Sequence, residues 1–294
     1  MTELKIGVVG TPGKWSTEHL ADCLAQRTGY RRVIDMGKVA LDLERSALMD
    51  GDTDLCQLDG LVVKKISEVY SPAALDRLDM LRFAEARGVR VFSPTEPVLR
   101  LIDRLSCTVT LAASDIPMPP TVVTENPEMA EATVRRFGVA VLKPLYSTKA
   151  RGMTLLEGAA DDLADQIAAY RAEHPVIYIQ KKADLSGKDL GMVFLGGQYI
   201  CTYARVSQTG AWNTTINSGG KYEAFAADDD LISLATRAQA PFGLTFTTVD
   251  VALTPGGPIV FEVSAFGGFR GAKEGAGVDA AALLADHVVG ALSP

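Results

Sequence analysis

Two apolar runs flank Pro255-Gly256-Gly257, and each carries one carboxylate: Thr248-Val-Asp250-Val-Ala-Leu-Thr before it, Pro258-Ile-Val-Phe-Glu262-Val-Ser264 after it. Alternating β-branched residues on both sides of a Pro-Gly-Gly turn predict a β-hairpin. A turn centred on Gly256 sets Asp250 directly opposite Glu262, where side chains of paired strands meet at about 5 Å between Cβ atoms. Ser264, two residues beyond Glu262, faces the same side. Two like charges so placed, inside apolar sequence, repel unless a cation lies between them. Oxygen donors of this kind suit a hard divalent cation, and Mg²⁺ held by one or two carboxylates plus substrate phosphates is the common arrangement.

The rest of the chain must support that hairpin. Its 294 residues suggest two domains or three small ones. Charged residues make up 22% and apolar residues 47%, which fits a folded enzyme-sized protein and excludes disorder as the main state. No apolar run reaches the roughly 20 residues of a spanning helix. The net charge of −7 argues against generic binding to nucleic acid or anionic membrane. The N-terminus enters a strand pattern at once with no signal-peptide core. Cys23, Cys56, Cys107 and Cys201 show no paired spacing, and neither do His19, His174 and His287. Reduced thiols in a cytoplasmic protein follow, and no zinc pattern can be built.

Short apolar strands at Leu4–Gly10, Arg32–Met36, Leu58–Val63 and Val89–Phe92 alternate with helical patterns at 17–28 (Ser16 as N-cap) and 72–88. This predicts a small parallel sheet with helices on both faces, ending near residue 96. One long helix is expected over 97–113, stopped by the prolines at 117, 119 and 120. A second α+β unit follows to about residue 188, and a third runs from 189 to 294. The early segment Gly7 to Trp15 is no phosphate loop: the Gly spacing is wrong, and Trp15 follows Lys14 where Ser or Thr is required.

Lys143 ends the apolar strand Val139–Leu142, and a buried Lys needs a partner such as a phosphate. The loop after it offers Ser147, Thr148, Lys149, Arg151 and Gly152 to an anion. Arg205 ends the strand 199–204 and precedes a polar loop of short side chains and paired glycines, 212–220.

Arg104, Lys143-Pro144, the loop 146–153, Gln180-Lys181-Lys182-Ala183, Asp189, Arg205, Asn213–Gly220 and Asp250…Glu262-Val-Ser264 occur in an order that resembles an ATP-grasp enzyme over residues 97–294. The first 96 residues resemble the domain that precedes it in that superfamily. RimK-like amino-acid ligases are the most similar group. Val62-Val-Lys-Lys65, Lys149-Ala-Arg-Gly152, Trp212-Asn-Thr-Thr215 and Ala265–Ala272 resemble the branch of the GAK-system proteins, and also the RimK-like ligases of tetrahydromethanopterin-type cofactor synthesis.

The resemblance implies an α/β (α+β) fold with two subdomains gripping ATP. It implies Arg104, Lys143 and the loop 147–152 at the phosphates, Gln180 to Ala183 at adenine, Asp189 beside ribose or substrate, and Thr215 near the γ-phosphate. It implies Arg205 on the transferring phosphoryl group, and Asp250, Glu262 and Ser264 on one or two Mg²⁺ ions, with Mn²⁺ an alternative. The implied reaction is ATP-dependent joining of a carboxylate to an amine through an acyl phosphate, with glutamate the default amine and Arg270 clamping a substrate carboxylate. The sequence departs from the family pattern at Ser264 (usually Asn), Lys181 (usually Glu), Gly191 (basic in RimK relatives), Thr215 (often Asn) and the glycine-poor phosphate loop. Two other outcomes stay open: an ATP-dependent phosphotransferase that makes no amide, and an ATP-binding regulatory protein. Apolar helices near both ends leave room for a homodimer.

Overall fold

The computed structural model describes residues 4–147, 150–185, 187–207 and 220–293. The chain opens with β1 (Ile6–Val9), α1 (Trp15–Thr28) and β2 (Val33–Ile34), then β3 (Ala40–Asp42), β4 (Ala47–Asp50) and β5 (Thr53–Asp54). It continues through β6 (Gly60–Val63), α2 (Ala73–Ala86) and β7 (Arg90–Phe92). The strands β2-β1-β6-β7 form a parallel sheet, as the alternating pattern predicts. All four residues of β1 and of β6 are buried, as expected of strands covered on both faces. The small antiparallel sheet β3-β4-β5 was not legible, because its two- to four-residue strands are too short to show a period.

Helix α1 begins at Trp15, so Ser16 lies inside it and is not its cap. The N-cap is Lys14, with no side-chain cap, and Glu18 of the first turn accepts from the Gly13 N–H just before it at 2.7 Å. The expected single helix 97–113 is two: α3 (Thr95–Ile102) and α4 (Arg104–Ala113). Asp103 breaks it with extended backbone and caps α4 through the Leu105 N–H. The break matters because it puts Arg104 at the first turn of a new helix, aimed across the chain. Asp103→Ala should cost about 1 kcal/mol, read as a lower urea midpoint, and should weaken nucleotide binding by loosening Arg104.

A second antiparallel sheet, β10-β9-β11-β8, is built from β8 (Thr121–Thr124), β9 (Val139–Leu142), β10 (Thr154–Glu157) and β11 (Ile177–Lys181). It is backed by α5 (Pro127–Phe137), capped by Asn126, and α6 (Leu163–Glu173). The largest sheet runs β14-β13-β12-β15-β16, from β12 (Lys188–Leu195), β13 (Gln198–Val206), β14 (Lys221–Ala224), β15 (Phe246–Thr254) and β16 (Gly257–Ser264). Its Leu190, Met192, Phe194, Val249 and Val251 share an apolar core with α7 (Asp229–Gln239). The alternate residues, including Gly191, Val193, Thr248 and Asp250, face the other way, toward α8 (Phe269–Ala276).

The last helix, α9 (Ala280–Leu292), packs on α1, joined by Arg27 to Asp286 at 2.5 Å. The two terminal helices therefore cover each other's apolar faces. No helix among the described residues is long and apolar enough to cross a membrane. All four cysteines are free.

Candidate active site

The hairpin β15–β16 sets Asp250 opposite Glu262 and Thr248 opposite Ser264. The route differs from a turn centred on Gly256. Thr254 pairs with Gly257 around a two-residue turn, and the register shifts next to Asp250, leaving Phe261 as an extra residue. The bulge restores the expected carboxylate pair, and both Phe261 and Glu262 line a cavity of about 530 Å³.

Arg205, on β13 with β12 between it and the hairpin, lies within 3.0 Å of Asp250 and is also hydrogen-bonded to Asp189. Burial works against its charge, but Asp250 and Asp189 outweigh it and hold Arg205 well above its usual range. Burial pushes Asp250 up to about 7; Arg205 opposes the shift, while Glu262 and Asp189 add to it. A bound divalent cation would favour the ionised form and pull it back down. Arg104 reaches from α4 to Glu262 at 3.3 Å, while its Nε donates to the Pro144 carbonyl at 3.3 Å. Asp250, Glu262 and Ser264 are all oxygen donors on one face of the hairpin, which fits Mg²⁺. The Ser264 hydroxyl accepts from the Phe266 N–H at 3.3 Å.

At the other end, Lys143 is 8% exposed and its ammonium donates to Gln180 at 2.5 Å. Burial, with Arg104 nearby, pulls Lys143 down to about 7. Gln180 is itself fixed by donating to Thr121 at 3.1 Å. Beyond it, Lys181, Lys182 and Ala183 form the opposite edge of the same cavity. Ser147 lines it next to Arg104.

Of the residues expected at the site, the cavity wall brings together Arg104, Lys143, Ser147, Gln180 to Ala183, Asp189, Arg205, Asp250, Glu262, Ser264 and Arg270. Arg151 and Gly152 are exposed and are not part of that wall. Thr148, Lys149 and Thr215 lie outside the described residues. Arg270 lies in α8, half exposed at the rim, and pairs with Glu274 at 3.4 Å.

Several wall residues were missed: Lys65 and Tyr70 from the N-terminal unit, Phe261, Tyr203 and Thr248. Lys64-Lys65 ends an all-apolar strand just as Lys143 does, so the same reasoning would have found it. Lys64 is buried and donates to the carbonyls of Phe266 at 2.6 Å and Gly267 at 3.2 Å.

Residues 102–288 match the family model of the RimK-like ATP-grasp domain. The chain belongs to this family. It is an ATP-grasp ligase, of the class that joins carboxylates to amines with ATP. Among curated relatives, the tetrahydromethanopterin:alpha-L-glutamate ligase of Methanosarcina acetivorans is 23% identical over 267 residues, covering 84% of this chain and 82% of that one. A probable alpha-L-glutamate ligase of Stenotrophomonas maltophilia is 29% identical over 212 residues, covering 71% and 72%. The fold is shared with the ATP-grasp ligase PsnB, solved with a precursor variant, Mg and ADP (TM-score 0.78, 20% identity, 99% of each chain). It is also shared with the D-cycloserine synthetase DcsG (TM-score 0.74, 18% identity, 98% and 99%).

Proposed function

We propose that this ligase activates a small-molecule or peptide carboxylate with ATP and Mg²⁺ and transfers it to the amine of an amino acid, with L-glutamate the favoured acceptor. The observation that carries the reading is the guanidinium of Arg205 fixed between Asp189 and Asp250, with Asp250 paired across the hairpin to Glu262. A cation is thus anchored beside a carboxylate pair suited to Mg²⁺, in one cavity with Lys143 and Arg104.

In this reading three units, 1–96, 97–188 and 189–294, enclose the reactants. Gln180 to Ala183 hold adenine. Lys143, Arg104, Ser147 and the segment through Gly152, with Thr148, Lys149 and Arg151, hold the phosphates. Asp189 holds Arg205 beside the ribose or substrate, and Thr215 lies near the γ-phosphate. Mg²⁺, or Mn²⁺ in its place, held by Asp250 and Glu262 with a weaker Ser264 contact, would neutralise charge on the transferring group. Arg205 offsets the charge that spreads over the equatorial oxygens as the γ-phosphoryl moves onto the substrate carboxylate. The acyl phosphate so formed has a good leaving group. The amine attacks its carbonyl carbon, phosphate departs, and an amide remains. Arg270 clamps a substrate carboxylate at the rim. The protein acts in the cytoplasm, and a homodimer is compatible with this reading.

The test is release of ADP and phosphate from ATP and Mg²⁺ with pooled carboxylates and amino acids, L-glutamate among them. Release that needs both an acid and an amine is expected. Nucleotide binding without release from any pool would overturn the reading in favour of a regulatory ATP-binding protein; release without an amine would indicate a phosphotransferase.

A further inference from the structure

Tyr203 is 3% exposed and lines the cavity, yet its hydroxyl makes no hydrogen bond to any described residue. Its place is fixed by glycines. Gly191 pairs with both Tyr203 and Asp250 in the sheet, so the three share a row and a face. A Cβ on Gly191 would overlap the end of the phenol ring. A Cβ on Gly271 would overlap the ring as well, and one on Gly275 would come within 2.6 Å of the Tyr203 Cβ. The ring therefore lies folded over Gly191 toward Asp250, roofed by one face of α8. Tyr222 packs edge-on at 5.4 Å and closes the remaining side. The hydroxyl of this otherwise buried ring is left to face the cavity without a partner among the described residues.

A second hydroxyl has the same character. Thr248 is 2% exposed, lines the cavity and leaves its Oγ1 without a partner among the described residues. It lies under Gly268, where a Cβ would come within 2.7 Å of that oxygen. Gly268 is the N-cap of α8 and has no side chain to satisfy the first helical N–H groups. Gly267 and Gly268 both form cavity wall. Behind them, the Lys64 ammonium is anchored to the carbonyls of Phe266 and Gly267. One buried unpaired hydroxyl at Thr248, a second at Tyr203 on the cavity wall, an uncapped helix N-terminus and a buried lysine thus border the same cavity. Each favours an anion, and the hydroxyls and N–H groups can donate to it directly.

We propose that the Tyr203 and Thr248 hydroxyls are specificity-determining contacts for the non-reacting carboxylate of the amino-acid substrate, which sits against the N-terminus of α8. The inference rests on the ligase reading above. The reacting carboxylate must meet the phosphoryl group beside Arg205, and the N-terminus of α8 next to it is left for the other carboxylate. Arg270 at the rim reaches the same carboxylate from the solvent side, whereas the two hydroxyls meet it from the floor and require it to be present. Burial holds the Tyr203 phenol far above its usual range, so it stays a donor at every working pH.

The test is calorimetric titration of L-glutamate into the protein loaded with AMPPNP and Mg²⁺. Wild type is expected to bind. Tyr203→Phe and Thr248→Val, which keep ring and shape, should each weaken glutamate on the order of 10-fold, the loss of one hydrogen bond to a charged group. AMPPNP affinity and thermal midpoint should stay at wild-type values. In turnover, the KM for the amino acid should rise more than kcat falls. A purely structural role would lower the midpoint and weaken nucleotide together, and would overturn the proposal. So would unchanged glutamate binding in both variants, or no glutamate binding by nucleotide-loaded wild type. Failure to bind AMPPNP would instead overturn the ligase reading itself.

Discussion

Arg205→Met is expected to lower ADP release on the order of 10³-fold or more while the protein still folds. Arg205 is the cation closest to Asp250, and its guanidinium is shared with Asp189. A fixed arginine on a transferring phosphoryl group contributes on the order of 10³ to 10⁵ in rate. The same substitution removes the positive charge between two carboxylates whose side chains are 9% and 17% exposed. Taking their cation away from buried carboxylates destabilises; because the cavity admits water, about 2 kcal/mol is expected rather than the full value for a dry pair. Adding Asp250→Asn should recover part of that stability and none of the activity, since it relieves repulsion while removing a metal donor. Urea unfolding and ADP release measured on both variants separate the two effects. Activity within tenfold of wild type in Arg205→Met would remove Arg205 from the chemistry.

Lys64→Met is expected to flatten the rise of stability with pH above neutrality. Burial pulls Lys64 down to about 7, against roughly 10.4 in an unfolded chain. The direction follows from proton counting. Between those values the unfolded chain binds a proton that the folded one does not, so stability increases as pH rises from about 7 toward 10. Below about 7 the folded lysine must take up its proton in a buried place, and that increment is lost. One such group contributes up to about 1.4 kcal/mol per pH unit inside the window. Lys143, also drawn down to about 7 by burial, adds a second contribution of the same sign. Urea midpoints at pH 6, 7, 8 and 9 should show a reduced slope for Lys64→Met and a further reduction when Lys143→Met is added. An unchanged slope in both would mean that the two ammonium groups keep their protons throughout.

Both predictions depend on pairings with very different visibility in the sequence. Asp250 and Glu262 could be paired from their distance to one turn, because strand geometry allows few registers and a one-residue slip would put them on opposite faces. Even so, the pairing held through a bulge at Phe261 that spacing alone does not reveal. Lys143 was legible because a charge at the end of an apolar strand has no solvated alternative. By the same logic Lys64 was legible as a buried cation, but its partners were not: Phe266 and Gly267 are about 200 positions away, and no local rule connects them.

The sequence by itself determined the parallel N-terminal sheet, the hairpin with its two carboxylates, the strand-end lysine and the family. Each is a local pattern with a fixed period, a fixed register or an ordered set of motifs. Only the tertiary structure decided that Asp103 breaks a helix to aim Arg104 at Glu262, that Arg205 is shared by two aspartates, and that Gly191, Gly271 and Gly275 make room for one tyrosine ring. Those arrangements arise where separate sheets and helices pack, and side chains distant in sequence compete there for the same space and the same charge.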